Sequence, residues 1–339
     1  MKKHAIIPIF ISHRGCPNAC VFCNQKAITA RNGDVTVSDA QNTIEEWLGT
    51  LDKMDIEKEI SFFGGSFTGI PVDEQIAFLT LAKKYKDEGR VQKIHCSNRP
   101  DYISQEILDN LKEYGMDVIE LGVQSFDPDV LKLSKRGHSV DDIYRACELI
   151  KDYGFTLGIQ LMIGLPGDSY EACMDSVKQT IQIRPEISRL YPTVVIPGTE
   201  LSEMYKSGIY QPFPEEEMLR IVKDMYIALN RNNIKVIRIG LKSNELIKGE
   251  TYHEAFGQLV KSSIAYDEIV MQLEKLGISN NAEKSEIIIK APADMINFAV
   301  GHKASNKKLL SEKFPNFSFK FITDNQLSDI LVAGGTFNV

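Results

Sequence analysis

The chain has 339 residues, 43% of them hydrophobic and 25% charged, with a formal net charge of -7; that length suits one large domain, or one large and one small. The acidic balance excludes attraction of the whole surface to nucleic acid or anionic membrane and leaves room only for a local basic patch, and no apolar run is long enough to span a bilayer. Six cysteines in a chain this long do not suggest a disulfide scaffold.

The opening stretch, MKKHAIIPIFISHRG, looks superficially like a signal peptide. Its apolar core is short, contains Pro8, and runs straight into His13, Arg14 and a cysteine without a small-residue cleavage site. It reads as a buried first strand over 5–11, and the chain as cytoplasmic. Strand-like runs follow at 59–65, 93–98, 118–126, 156–165 and 189–196. The stretches between them read as helices over 38–51, 72–89, 104–115, 140–154 and 169–183. Ser38 is placed to cap the first helix, and Gly115 and Gly154 to end the third and fourth.

Strands separated by helices mean repeated β-α units on a parallel sheet, and near-continuous apolar strands imply that both sheet faces are covered. Six units fit an open doubly wound sheet or an α/β fold of the incomplete (β/α)6 parallel barrel type. Both put functional residues at the C-terminal ends of strands. Those ends carry the cysteine loop, GGSFTG, SNRPD, QSF and GLPGD. A helix over 214–233 and a closing strand over 236–241 end the alternation. A long helix is expected over 253–277, then a polar break, SNNAEKS, then a β-α-α-β run over 286–291, 293–301, 305–314 and 317–322. The expected organisation is a partial barrel over 1–240, a helical connector packing on it over 241–283, and a small α+β domain over 284–339.

The loop after the first strand, RGCPNACVFCNQ, gathers Cys16, Cys20 and Cys23 within eight positions. Structural zinc usually takes four ligands, often as two distant CxxC pairs; no second pair is present, and His13 would have to serve as the fourth ligand. A disulfide would strand one thiol. In a [4Fe–4S] cluster each iron is normally held by a thiolate, so three thiolates would leave one iron open to bind and react. Arg14, Gly15, Pro17 and Asn18 suit a tight loop whose N–H groups reach cluster sulfides. On spacing alone the cluster leads, with zinc and coincidence still open.

CxxxCxxC after a first strand, with Phe22 before the last cysteine, resembles the signature of radical S-adenosylmethionine enzymes. SFFGGSFTGIP is similar to that family's glycine-rich motif after the second strand. ELGVQSFDPDVLKLSKRGH and QLMIGLPGDS are similar to segments of two of its groups, the oxygen-independent coproporphyrinogen oxidases and the radical domain of the elongator catalytic subunit. YHEAFGQLV looks elongator-like, so the resemblance covers roughly residues 5 to 260. Nothing resembles the elongator subunit's acetyltransferase half.

The resemblance implies that Cys16, Cys20 and Cys23 ligate a [4Fe–4S] cluster whose open iron is chelated by the amino and carboxylate groups of S-adenosyl-L-methionine. It implies a one-electron reductant, a flavodoxin or ferredoxin, and cleavage of the sulfonium to methionine and a 5′-deoxyadenosyl radical that takes hydrogen from a substrate. It further implies that Gly64 and Gly65, with the Ser66 hydroxyl, bind the methionine amino group, that Gln124 approaches the ribose, and that Arg136 pairs with the cofactor carboxylate as a planar donor. Two positions depart from the pattern. Ser97 stands where relatives carry glutamate, and Gln160 where the porphyrin enzymes carry aspartate. Ser97, Asn98 and Gln160 are then the neutral candidates for cofactor contacts, and the missing carboxylates argue against porphyrin chemistry.

Arg99 and Asp101 read as a structural salt bridge beside Pro100, Tyr191 as a packed tyrosine, and Cys96, Cys147 and Cys173 as buried small hydrophobes. His138, Tyr252 and His253 are loop candidates for substrate contact. Near the C-terminus, VGHKASNKKLL looks like a degenerate KH motif, in which a GxxG loop clamps a nucleic-acid backbone; here the loop reads Gly301, His302, Lys303, Ala304. Residues 284–320 hold seven lysines against three acidic residues, a local balance of +4, the footprint that RNA binding leaves. The leading expectation is a radical enzyme that modifies tRNA, bound through 284–320. The alternatives are radical chemistry on a small molecule, such as a tetrapyrrole or biosynthetic intermediate, and a non-catalytic, cluster-bearing RNA-binding protein.

Overall fold

The structure, a computed structural model, describes residues 4–11, 15–16, 20–24, 35–241, 253, 255–278 and 285–333. Strands β1 (His4–Ile11), β2 (Glu57–Gly64), β3 (Lys93–Asn98), β4 (Val118–Gln124), β5 (Thr156–Ile163), β6 (Ile187–Pro192) and β7 (Lys235–Ile239) form one sheet in chain order. Every neighbouring pair is parallel. An order without reversal excludes the doubly wound alternative. The sheet is curled: the Arg189 guanidinium on β6 lies 5.0 Å from the centre of the Phe63 ring on β2, four strands away, a separation of about 19 Å in a flat sheet. The expected incomplete barrel is present, with the closing strand paired as its seventh member.

Helices α1 (Val37–Leu51), α2 (Val72–Asp87), α3 (Gln105–Glu113), α4 (Pro128–Leu133), α5 (Val140–Asp152), α6 (Tyr170–Ile183), α7 (Glu200–Lys206) and α8 (Glu215–Arg231) connect the strands. Thr36, rather than the expected Ser38, caps α1: its hydroxyl accepts from the Asp39 N–H and the Asp39 carboxylate accepts from the Thr36 N–H. Ser139 and Asp142 make the same reciprocal box on α5. The short α4 was not expected; Asp127 nucleates it by accepting from the N–H groups of residues 129 and 130, with Pro128 at its first position.

On β1, Ile7, Ile9 and Ile11 are buried while the residues between them are half-buried. The helix residues Ile44, Leu79, Leu108, Ile150 and Ile221 are fully buried as well. The opposite, inner face carries half-buried Phe10, Phe63, Gln160 and Met162 together with buried charged groups. Both faces of the central strand β4 are buried, and the inner face differs in holding its buried charges. Among the described residues no helix is long and apolar enough to cross a membrane.

The chain divides into two units between Tyr252 and His253. In the second, α9 (Phe256–Lys275) precedes β8 (Ser285–Ala291), α10 (Ile296–Val300), α11 (Ser305–Lys313), β9 (Phe317–Thr323) and β10 (Leu331–Ala333). β8 pairs in parallel with β9 and antiparallel with β10. The β-α-α-β order matches expectation, with β10 added. Ala265, Ile269 and Leu273 of α9 share a core with Ile287, Ile289, Leu310 and Phe317. The helix read as a connector thus belongs to the C-terminal core, and the division falls at 252/253 rather than at 240 and 284.

Candidate active site

The cysteines follow the C-terminal end of β1 and form no disulfide. Their loop is fastened to the end of β2 by close backbone contact. Gly15 has φ +73°, and a Cβ on it would meet the Gly69 carbonyl carbon at 2.8 Å and the Ser66 carbonyl oxygen nearer still. A Cβ on Gly69 would strike the Gly15 backbone in return. The Ser66 backbone hydrogen-bonds to Cys16. Gly64, at φ +119°, would put a Cβ 2.5 Å from the Ile11 carbonyl oxygen, which accepts from the Gly65 N–H at 3.0 Å. On the far side of the loop, the Val21 N–H donates to Ser134 O at 3.2 Å and Val21 O accepts from Leu201 N–H at 2.7 Å. Val21 is buried with Leu201 and Tyr210, and Phe22 packs against them.

Two buried arginines flank the thiols. Arg136 Nη1 lies 3.1 Å from Cys20 Sγ, Nη2 donates to Gly122 O, and Nε has no partner. Arg99 grips Asp101 through Nε and Nη2 at 2.9 and 2.8 Å, the expected salt bridge, and its Nη1 has no partner. The Arg99 N–H donates to Ser66 Oγ at 3.2 Å. Burial pushes the Cys16 thiol up, and the Arg99 and Arg136 charges pull against it. Among the described residues Arg136 has no carboxylate partner, so its buried charge favours an anionic neighbour. Gln124 sits where β4 bulges against β5 and holds φ +71°, a conformation costing a non-glycine residue about 1–2 kcal/mol. Its buried Oε1 has no partner, and its Nε2 would lie 2.9 Å from a Cβ on Gly122.

Deeper on the inner face, Ser97 of β3 and Gln160 of β5 both donate to Oε1 of Glu120 on β4, Ser97 at 3.4 Å. Glu120 Oε2 pairs with Arg189 Nε at 2.7 Å, close enough for an ion pair but not aligned as a hydrogen bond. The carboxylate missing from β3 and β5 therefore stands on the strand between them. Arg189 Nη1 donates to the Tyr191 hydroxyl at 3.2 Å. A second network joins Glu59 to Ser61 (2.6 Å), His95 (2.7 Å) and His4 (3.2 Å). Burial raises the Glu59 carboxyl, but these hydrogen bonds and the His95 charge more than reverse it, holding the group well below the usual range.

Sequence reasoning missed Glu120, Arg189, Glu59, His95 and the apposition of Gly69 with Gly15. The available signal was period two: Glu120, Gly122 and Gln124 alternate along one apolar strand. Other expectations need correction. His138 is not an open loop residue; it is 5% exposed, lies 3.3 Å from Val123 O through Nε2, and is pushed down to about 3 by burial, then by Arg136 and Arg99. Asn98 braces the turn after β2 by accepting from the Thr68 N–H at 2.9 Å. His253 Nδ1 accepts from the Ala255 N–H at 3.0 Å at the start of α9. Cys96, Cys147 and Cys173 are buried, as expected. His13, Arg14, Pro17, Asn18, Tyr252 and the break at 279–284 lie outside the described residues. Among the described residues no three His, Cys, Asp or Glu side chains converge as a single metal ion requires; the thiolates of a [4Fe–4S] cube each take a different iron and stand apart.

Residues 10–179 match the profile of the radical SAM superfamily, and residues 185–266 that of the radical SAM C-terminal domain. The chain is 30% identical over 258 residues to the tRNA uridine(34) acetyltransferase of Methanocaldococcus infernus, covering 64% of this chain and 48% of that protein. It therefore spans about half the length of that relative. It is 31% identical over 229 residues to an uncharacterized protein of Methanocaldococcus jannaschii, MJ0486, covering 64% of this chain and 70% of the other. The solved structure of archaeal Methanocaldococcus infernus Elp3 with an N-terminal deletion superposes with a TM-score of 0.63 at 25% identity, over 82% of this chain and 64% of that one.

Proposed function

Since the chain belongs to the radical SAM superfamily, whose enzymes use a [4Fe–4S] cluster and S-adenosylmethionine, we propose that Cys16, Cys20 and Cys23 hold that cluster and that the enzyme modifies a tRNA base, a uridine by analogy with its named relatives. The observation that carries the reading is the fastening of a three-thiol loop to the glycine turn beside two buried arginines. The donor set fits: the thiols form no disulfide, and Arg99 Nη1, Arg136 Nε and Gln124 Oε1 are buried polar atoms without partners that a polar, anionic ligand would satisfy. When bound, cluster and cofactor supply one-electron cleavage of the sulfonium and the radical that follows.

The chain's own residues bind and orient. The Gly64–Gly65–Ser66 backbone would hold the methionine amino group, Arg136 its carboxylate, and Gln124 the ribose. Ser97 and Gln160, both bonded to Glu120 on the inner face, would be the neutral groups next to it. The lysine-rich 284–320 stretch supplies phosphate contacts to RNA, with exposed Lys303, Lys307 and Lys308 at the Gly301–Ala304 turn and on α11. A cytoplasmic flavodoxin or ferredoxin supplies the electron.

The test is anaerobic reconstitution with iron and sulfide, then dithionite and S-adenosylmethionine, with and without bulk tRNA. Release of 5′-deoxyadenosine, accelerated by tRNA, is expected. Charge reversal in K303E/K307E/K308E should weaken tRNA retention and flatten its salt dependence. A loaded protein that releases none, or tRNA binding indifferent to salt, refutes the reading.

A further inference from the structure

Resting on the base-modifying reading above, we infer that Arg189 is a substrate-binding residue that donates to a ring carbonyl of the substrate base on the inner face of the half-barrel. Arg189 is 4% exposed and Glu120 0%, and a buried ion pair is a poor stability device, often replaceable by apolar side chains. Its guanidinium is held from three sides, by Glu120 at Nε, Tyr191 at Nη1 and the Phe63 ring beneath. Glu120 is itself held by Ser97 and Gln160. Side chains of five strands, β2 to β6, thus converge to orient one donor, and that donor, Nη2, has no partner.

Charge identifies the ligand. Glu120 already balances Arg189, so the pair offers a directed N–H from a neutral unit, which suits a neutral acceptor better than a phosphate or carboxylate. Arg136, with no carboxylate partner among the described residues, is the group placed for an anion. Phe10 and Phe63, with ring centres 6.0 Å apart, and Met162 are half-buried on the same face and offer apolar walls to a flat ring. The chemistry is that of a planar heterocycle carrying a carbonyl. A base presenting an amino group at that point would set donor against donor and leave a buried N–H unpaired.

The experiment uses the full chain, reconstituted anaerobically, with bulk unmodified tRNA transcripts as probe. It compares wild type, R189K and the double variant E120Q/R189M, which buries no unpaired charge. The readout is the ratio of tRNA-dependent to tRNA-independent 5′-deoxyadenosine formation, alongside Tm and the spectral response of the reduced protein to S-adenosylmethionine. Both variants should keep Tm within about 3 °C while the ratio falls roughly tenfold or more, the effect of one directed hydrogen bond to a charged donor. A ratio within about twofold of wild type in either folded variant overturns the inference alone. Loss of the spectral response in the same proportion places Arg189 in the cofactor pocket and also overturns it. A wild-type rate indifferent to tRNA defeats the base-modifying reading and the inference with it.

Discussion

Substituting Gly15→Ala perturbs the fastening of the cysteine loop at one atom. The residue holds φ +73°, which costs an alanine about 1–2 kcal/mol. The new Cβ would stand 2.8 Å from the Gly69 carbonyl carbon, against 3.4 Å for ordinary contact, with the Ser66 oxygen nearer still. Both neighbours are backbone and cannot rotate away. Relieving such overpacking costs about 1–3 kcal/mol, so the local penalty totals about 2–5 kcal/mol. The barrel core is not touched, so the inexpensive response is for the loop to lift from the 66–69 turn and lose the Ser66 bond to Cys16. Gly89→Ala is the control, because Gly89 has φ +72° but nothing within 4 Å of an added Cβ. The assay is iron and sulfide per chain after anaerobic reconstitution and desalting. G89A should hold iron as wild type does, despite its dihedral strain, and G15A should lose most of it. Equal iron in G15A and wild type, with equal 5′-deoxyadenosine release, would show that the close approach does not seat the loop.

Two further outcomes follow from the same geometry. His138 stays neutral in the fold down to about pH 3, while the unfolded chain protonates its histidine near 6.5. Its folded value lies below its unfolded one, so stability is full above pH 6.5 and falls as pH drops toward 3, by up to about 1.4 kcal/mol per pH unit. H138Q should flatten that part of the urea-derived stability curve, and an unchanged slope would show that other groups carry it. C16A, C20A and C23A should each abolish iron retention, whereas C147A, at a buried helical site, should keep it at a stability cost of about 1 kcal/mol; iron loss in C147A would break the assignment.

The Glu120–Arg189 pair shows what a one-dimensional reading leaves out. Glu120 stands in VIELGVQ and Arg189 in ISRLYP, each an isolated charge in a strand. Strand alternation assigns each a face but cannot say that β6 curls round to meet β2. Ser97 and Gln160 read as vacancies where carboxylates were missing; the register pairs Ser97 with Glu120 and Gln160 with Gly122 and Arg189, which returns a carboxylate from the strand between. His138 misled in the opposite way, since a polar residue in a loop-like stretch carries no local sign of being folded over β4.

The sequence by itself determined the features that are local or periodic: the three-cysteine loop after a first strand, the alternation of strands and helices, and the basic β-α-α-β tail. These depend on spacing along the chain, and spacing survives without a fold. Only the tertiary structure decided which glycines press the loop into place, which arginine has no counter-charge among the described residues, and where the inner face keeps its carboxylate. Those outcomes depend on the curl and register of seven strands, which bring together groups far apart in the chain whose desolvation and pairing energies exist only once they meet.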